Sequence, residues 1–112
     1  METNKLWDLI ETYLSYLKHT KNSSPKTIEN YSLWLNRFWE HTGDIWVDQI
    51  SSFMVLSYRQ KLEKLGLNIR TINYHIVALR AFLKFLHRHD IDAISPEKLE
   101  LSKVPPRTVN FL

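Results

Sequence analysis

The sequence predicts an all-α fold, a bundle of four to five helices in one domain, and three observations predict it. The 112 residues include only two glycines and four prolines, too few turn formers for a β-sandwich, which needs a turn signal about every 10 residues. Apolar residues recur at intervals of three and four over long stretches, the period of a helix buried along one side. Each such stretch after the first is preceded by serine or asparagine, whose side-chain oxygen can accept from the free N–H groups of a helix start. With 44% hydrophobic residues, a chain of this length can bury one modest core and not two.

The first helix is expected from Leu6 to Thr20, with Leu6, Ile10, Tyr13, Leu14 and Leu17 on one side. Lys21 to Ser24 is polar and breaks the pattern. Ser24 then caps the second helix, and Pro25 takes its first position, where a missing N–H costs nothing. Its inward stripe is Ile28, Tyr31, Leu35 and Phe38, with Trp34 and Trp39 alongside, and Gly43 ends it. Asp44 to Ile50 is a connector, apolar enough through Ile45, Trp46, Val47 and Ile50 to tuck under the bundle. Ser51 or Ser52 caps a third helix, with Phe53, Leu56, Leu62 and Leu65 as its core contacts and Gly66 as its end.

Asn68 caps the fourth helix, whose series Ile69, Ile72, Ile76, Leu79, Leu83 and Leu86, widened by Phe82 and Phe85, is the strongest periodic signal in the chain. Beyond Asp90 the pattern weakens, although Ser95-Pro96-Glu97 reads as the capped start of a short turn through Leu101. Residues 1–102 therefore form the helical domain. Residues 103–112, with Pro105-Pro106 and a closing Phe111-Leu112 that nothing local would bury, read as the start of a linker to a further domain.

Composition narrows the function. Without cysteine there is neither a disulfide framework nor a cysteine-ligated metal site, and the usage suits a reducing cytosol. The start carries no basic stretch followed by an apolar run, and no segment approaches the ~20 apolar residues of a membrane span. The expected setting is cytoplasmic. The net charge is only +3, but from Gln49 to His89 seven bases face the single acid Glu63, a net of +6 that leaves the remainder at −3. Such concentration is the electrostatic footprint of a polyanion binder, and it is also what an ordinary solvated helix face looks like.

Two segments echo each other: Ser24-Pro25-Lys26-Thr27-Ile28-Glu29-Asn30-Tyr31 and Asn68-Ile69-Arg70-Thr71-Ile72-Asn73-Tyr74-His75. Together with Ala78-Leu79-Arg80-Ala81-Phe82-Leu83-Lys84-Phe85-Leu86 and the exit at Pro105-Pro106, their order and spacing resemble the amino-terminal core-binding domain of tyrosine recombinases, the phage-integrase and Xer-type family. The resemblance covers roughly Leu6 to Thr108. It implies an orthogonal bundle of the integrase N-terminal, SAM-like type, forming one half of a C-shaped clamp on double-stranded DNA, with two helices meeting the major groove. It points to Lys26, Thr27, Asn30 and Tyr31 on the second helix and to Arg70, Thr71, Asn73 and Tyr74 on the fourth, with Arg80 and Lys84 following.

The residues support this by their own chemistry. A helix start offers free N–H groups and partial positive charge to phosphate, and Thr27 or Thr71 adds a hydroxyl. Lys26 and Arg70 stand in first turns, against the dipole preference, so a purely structural role explains them poorly. Asn73, Val77, Arg80, Lys84 and Arg88 form one stripe, and Lys26, Asn30, Leu33 and Arg37 a similar one. Arginine and asparagine can pair with guanine and adenine edges, although the same residues also hold phosphates. Tyr31 lies on the apolar stripe and reads as core, Tyr74 is balanced between core and contact, and Arg37, Lys84 and Arg88 could equally be a solubilising face.

No catalytic set is expected in this chain. The family's cutting machinery is a tyrosine nucleophile near the carboxyl end, supported by arginines and a His-x-x-Arg motif. Here the residues three after His19, His41, His75, His87 and His89 are Asn22, Asp44, Ala78, Asp90 and Asp92, and all five tyrosines precede residue 75. His87-Arg88-His89-Asp90 reads as a helix end complementing the dipole and not as a metal site. The expected partners are double-stranded DNA and neighbouring protomers, the latter through Asp8 and Glu11 of the first helix, with no cofactor and no small-molecule substrate. A different class stays open: a helical protein-interaction domain docking an acidic partner on the same basic face.

Overall fold

The computed structural model describes residues 4–104. Within them are four α-helices, α1 (Leu6–His19), α2 (Pro25–Thr42), α3 (Ser52–Lys64) and α4 (Ile69–Arg88), with short 3₁₀ turns at Val47–Gln49 and Pro96–Lys98. The fold is all-α, and no strand pairs among the described residues beyond one isolated bridge between Lys5 and Trp46. Pro105, Pro106, Phe111 and Leu112 lie outside the described residues.

Three of the four helix starts follow from local sequence. Ser24 accepts from the Thr27 N–H at 3.1 Å, Ser51 from the Met54 N–H at 3.1 Å, and Asn68 from the Thr71 N–H at 2.9 Å, each satisfying a donor that the helix cannot. The start of α1 is made differently. Lys5 provides no side-chain cap; instead the Asp44 carboxylate accepts from the Trp7 N–H at 3.0 Å, and the Leu6 N–H donates to the Ile45 carbonyl at 2.8 Å. The connector after α2 thus caps α1 and places negative charge at its N-terminus.

α4 is the axis of the core, touching each of the other three helices. Its Ile72, Ile76, Ala78, Leu79, Phe82, Leu83, Phe85 and Leu86 are buried, as are Leu6, Leu9, Ile10, Tyr13 and Leu17 of α1 and Leu35 and Phe38 of α2. The connector does tuck in, through Val47 and Ile50. Leu99, in the chain leaving the second 3₁₀ turn, closes the core from another side at 2% exposure.

α3 corrects the expected register. Leu62 is buried, but Phe53 is 77% exposed and Leu56 and Leu65 are also exposed, while Val55 and Tyr58 take the core positions. The expected set steps by three, six and three and puts Phe53 opposite Leu62, whereas Val55, Tyr58 and Leu62 step by three and four and share one arc, which the consecutive apolar residues Phe53 to Leu56 obscure. Packing follows that arc: the Tyr58 ring meets Phe38 edge-on at 5.1 Å, and its hydroxyl donates to the Trp34 carbonyl at 3.3 Å. Two smaller differences follow. Ile69, at the very start of α4, is exposed, and the turn after Ser95 ends at Lys98, with the Ser95 hydroxyl bonding the Glu97 carboxylate and capping no backbone N–H.

Gly43 ends α2 at φ 79° and ψ 179°, a region open essentially to glycine alone. A Cβ added there would meet nothing within 4 Å, so substitution costs backbone strain and no clash. Gly43→Ala is expected to lose roughly 1–3 kcal/mol of stability, read as a lowered urea midpoint with unchanged slope.

Candidate nucleic-acid interface

The outer surface of α4 is basic. Arg70, Tyr74, Val77, Lys84 and Arg88 are all exposed and, at 100° per residue, fall within an arc of about 80°. The helix carries Arg70, Arg80, Lys84 and Arg88 and no acid. On α2 the outward positions are mixed: exposed Lys26 and Leu33 alternate with exposed Glu29 and Glu40. Lys26 lies 4.0 Å from Glu29, both largely exposed, a pair that solvent screens and that leaves the ammonium available.

The ten expected contact residues, Lys26, Thr27, Asn30, Arg37, Arg70, Thr71, Asn73, Tyr74, Arg80 and Lys84, are divided between α2 and α4. Lys26 and Thr27 stand at the start of α2, with the Thr27 hydroxyl accepting from Ser24 at 2.9 Å. Farther along α2, Trp34 stacks on Tyr74 of α4 at 5.7 Å and 24°. With ~1.5 Å of rise per residue, Lys26 lies roughly 12 Å along the axis from that contact. Half-buried Asn30 sits between the two places.

At the seam, Arg37 of α2 meets His75 of α4 at 3.0 Å between Nη1 and Nε2, and the Thr71 carbonyl takes His75 Nδ1 at 2.7 Å. Arg37, Thr71 and Tyr74 are therefore brought together around Trp34 and His75. Exposed Arg70 lies one turn before Tyr74 on the same outer arc.

The stripe Asn73, Val77, Arg80, Lys84 and Arg88 divides in its environments. The Asn73 amide is engaged by the departing chain on both sides, donating to the Ser102 carbonyl at 2.8 Å and accepting from the Ser102 N–H at 2.9 Å. Arg59 of α3 donates to the Ser102 hydroxyl at 2.8 Å, so two helices hold the chain where it leaves the body. Half-buried Arg80 keeps its Nε enclosed without a protein acceptor. Lys84 is exposed, and Arg88 donates to the Tyr16 hydroxyl of α1 at 3.2 Å.

Sequence reading passed over His75 and Arg59. The signal for His75 was present: it falls on the apolar arc of α4 beside Ile72, Ile76 and Leu79 and is 1% exposed, and a buried imidazole must find partners. Arg59 had no comparable signal, because its acceptor is more than forty residues away.

Burial holds the His75 imidazole below its ordinary 6.5, the Arg37 charge adds to this, and the bond to the Thr71 carbonyl opposes it. His41 is lowered in the same direction, by burial and then by Lys61. The unfolded chain therefore takes up protons first as pH falls. The stability these neutral histidines contribute is fully present above pH 6.5 and is lost as pH drops from 6.5 through their folded values. Circular-dichroism melts between pH 8 and 5 should show the midpoint falling below about pH 6.5, with a shallower fall in His75→Gln.

His87 is occupied as well, its Nε2 lying 2.9 Å from the Ala93 carbonyl, and no group of three metal-ligating side chains occurs among the described residues. Nor is any described helix long and apolar enough to cross a membrane.

Comparison with known proteins fits this architecture. The family described as phage integrase, N-terminal SAM-like domain, matches residues 10–90. Tyrosine recombinase XerC of Psychromonas ingrahamii is 33% identical over 94% of this chain and 38% of its own length. Tyrosine recombinase XerA of Thermococcus kodakarensis is 31% identical over 93% of this chain and 32% of its own. The chain thus spans about a third of the length of these curated relatives. The crystal structure of the N-terminal domain of a phage integrase/site-specific recombinase from Haloarcula marismortui shares the fold, with a TM-score of 0.78 over 91% of this chain and all of that one, at 17% identity. On the extent of the family match and the agreement of the fold, this chain belongs to the phage integrase N-terminal, SAM-like domain family.

Proposed function

We propose that this chain is the DNA-gripping arm of a site-specific tyrosine recombinase, one half of a clamp that closes on duplex DNA with a catalytic domain reached through residues 103 onward. The observation that carries the reading is the acid-free basic face of α4, exposed from Arg70 to Arg88. α4 lies in the major groove, with Arg70, Tyr74 and Lys84 toward the DNA. Lys26, Thr27 and Asn30 of α2 reach the backbone one step along, and Arg37 with Thr71 completes the grip at the seam. Cationic contacts of this kind supply sequence-independent affinity, while arginine or asparagine at base edges adds specificity. In this reading Asn73 acts through Ser102, setting where the chain departs toward the second domain, and Arg80 supports the face from its flank. Breaking and rejoining of DNA belongs to the catalytic domain, neighbouring protomers assemble on the same DNA, and the work is done in the cytoplasm at the nucleoid.

A protein-docking role is the second reading, and one observation favours it: Phe53 and Leu56 of α3 are exposed beside Leu101. A low-salt titration of random-sequence duplex into the ¹⁵N-labelled chain separates the two. Shifts at Arg70, Tyr74 and Lys84 that fade with added salt and vanish in Arg70→Glu/Lys84→Glu are expected for the DNA arm. A folded chain showing no shift at any attainable duplex concentration would transfer the assignment to protein docking.

A further inference from the structure

His75 is the only fully buried polar side chain among the described residues, and its bonds allow one protonation form. Every N–H of a guanidinium is a donor and none is an acceptor. Since Arg37 Nη1 approaches Nε2 at 3.0 Å, Nε2 must hold the lone pair, and Nδ1 carries the proton that it donates to the Thr71 carbonyl at 2.7 Å. An imidazolium would set an N–H against the guanidinium, and the other neutral tautomer would lose both bonds.

The remaining neighbours of the ring are aromatic: Trp34 of α2 at 5.8 Å and Tyr58 of α3 at 6.5 Å. Packing alone gives no reason for an imidazole here, because leucine would occupy similar space without polar atoms to desolvate. What the imidazole adds is a rigid acceptor that joins Arg37 of one helix to the backbone of the other.

We propose that His75 is a positioning residue for DNA recognition: as the neutral Nδ1–H tautomer it holds the Arg37 guanidinium at the α2–α4 seam beside Thr71 and Tyr74. The proposal rests on the DNA-arm reading with Arg37 as a contact. Free arginine samples many rotamers, and fixing it before DNA arrives removes part of the ordering cost of binding. The same bond ties the two DNA-facing helices, so that Arg37 and Tyr74 meet the duplex in one geometry.

The test has a spectroscopic arm and a binding arm. In the ¹⁵N-histidine-labelled chain at pH 7.5, His75 should show a protonated Nδ1 and an unprotonated Nε2, and Arg37→Ala should shift Nε2. A protonated Nε2, or one indifferent to Arg37→Ala, overturns the proposal without any substitution at position 75. In duplex binding at low salt, Arg37→Ala and His75→Leu should each weaken affinity roughly tenfold, the double variant little further, because one removes what the other positions. His75→Gln, whose amide oxygen can accept from Arg37, should recover most of the loss.

Wild-type affinity in a folded His75→Leu, or no loss in Arg37→Ala, sinks the positioning role while leaving the DNA arm standing. Failure of the wild-type chain itself to bind duplex removes the DNA arm and this proposal together.

Discussion

Phe82→Ala is expected to lower the thermal midpoint of this domain by roughly 15–30 °C. Phe82 is 0% exposed on the inward face of α4, and its ring lies 5.8 Å from Tyr13 of α1. Tyr13 in turn reaches Phe85 at 5.1 Å and Tyr31 of α2 at 6.4 Å, so the cavity would open where three helices meet. Removing a phenyl ring from such a site costs about 3–5 kcal/mol, against a total of about 5–15 kcal/mol for a domain. Melts followed at 222 nm measure it directly. A drop under about 5 °C would mean that the aromatic cluster collapses into the space and that Phe82 does not anchor the meeting of the three helices.

The second large effect concerns DNA. Reversing exposed charges with Lys26→Glu, Arg70→Glu and Lys84→Glu together should weaken duplex affinity by roughly a hundredfold or more, since each lost charged contact is worth about a factor of ten. The slope of log affinity against log salt should also flatten by about one for each phosphate no longer neutralised. The three side chains are exposed and none is in the core, so the melting temperature should move little. Affinity and salt slope measured by fluorescence anisotropy at several salt concentrations give both numbers. An unchanged slope with weakened binding would place these residues outside the phosphate contacts. Loss confined to Lys26→Glu among the three single variants would assign the grip to the start of α2 in place of the outer face of α4.

Neither effect could be ranked from sequence alone, although Phe82 and all three bases are visible there. The α4 series was legible because its apolar residues fill one arc and its bases the other, leaving a single way to turn the helix. In α3 the consecutive apolar residues from Phe53 to Leu56 hid the inward arc of Val55, Tyr58 and Leu62, which packs on Phe38 and Trp34. The site shows the same split. Lys26, Arg70 and Lys84 could be named because exposure follows from position on an amphipathic helix. The environments of Arg37 and Asn73 could not, since their partners are His75 and Ser102, 38 and 29 residues distant.

Sequence by itself thus determined the all-α class, the order of the helices, three of the four caps and the basic side of α4. Each depends on interactions spanning three or four residues, where chain geometry leaves few alternatives. Tertiary structure alone decided that Asp44 caps α1, that Tyr58 meets Phe38 and the Trp34 carbonyl, that Asn73 and Arg59 hold Ser102, and that His75 joins Arg37 to the backbone of α4. Each of those pairings links groups far apart in the chain. Their partners become defined only once burial has brought the helices together and left enclosed donors and acceptors needing a mate.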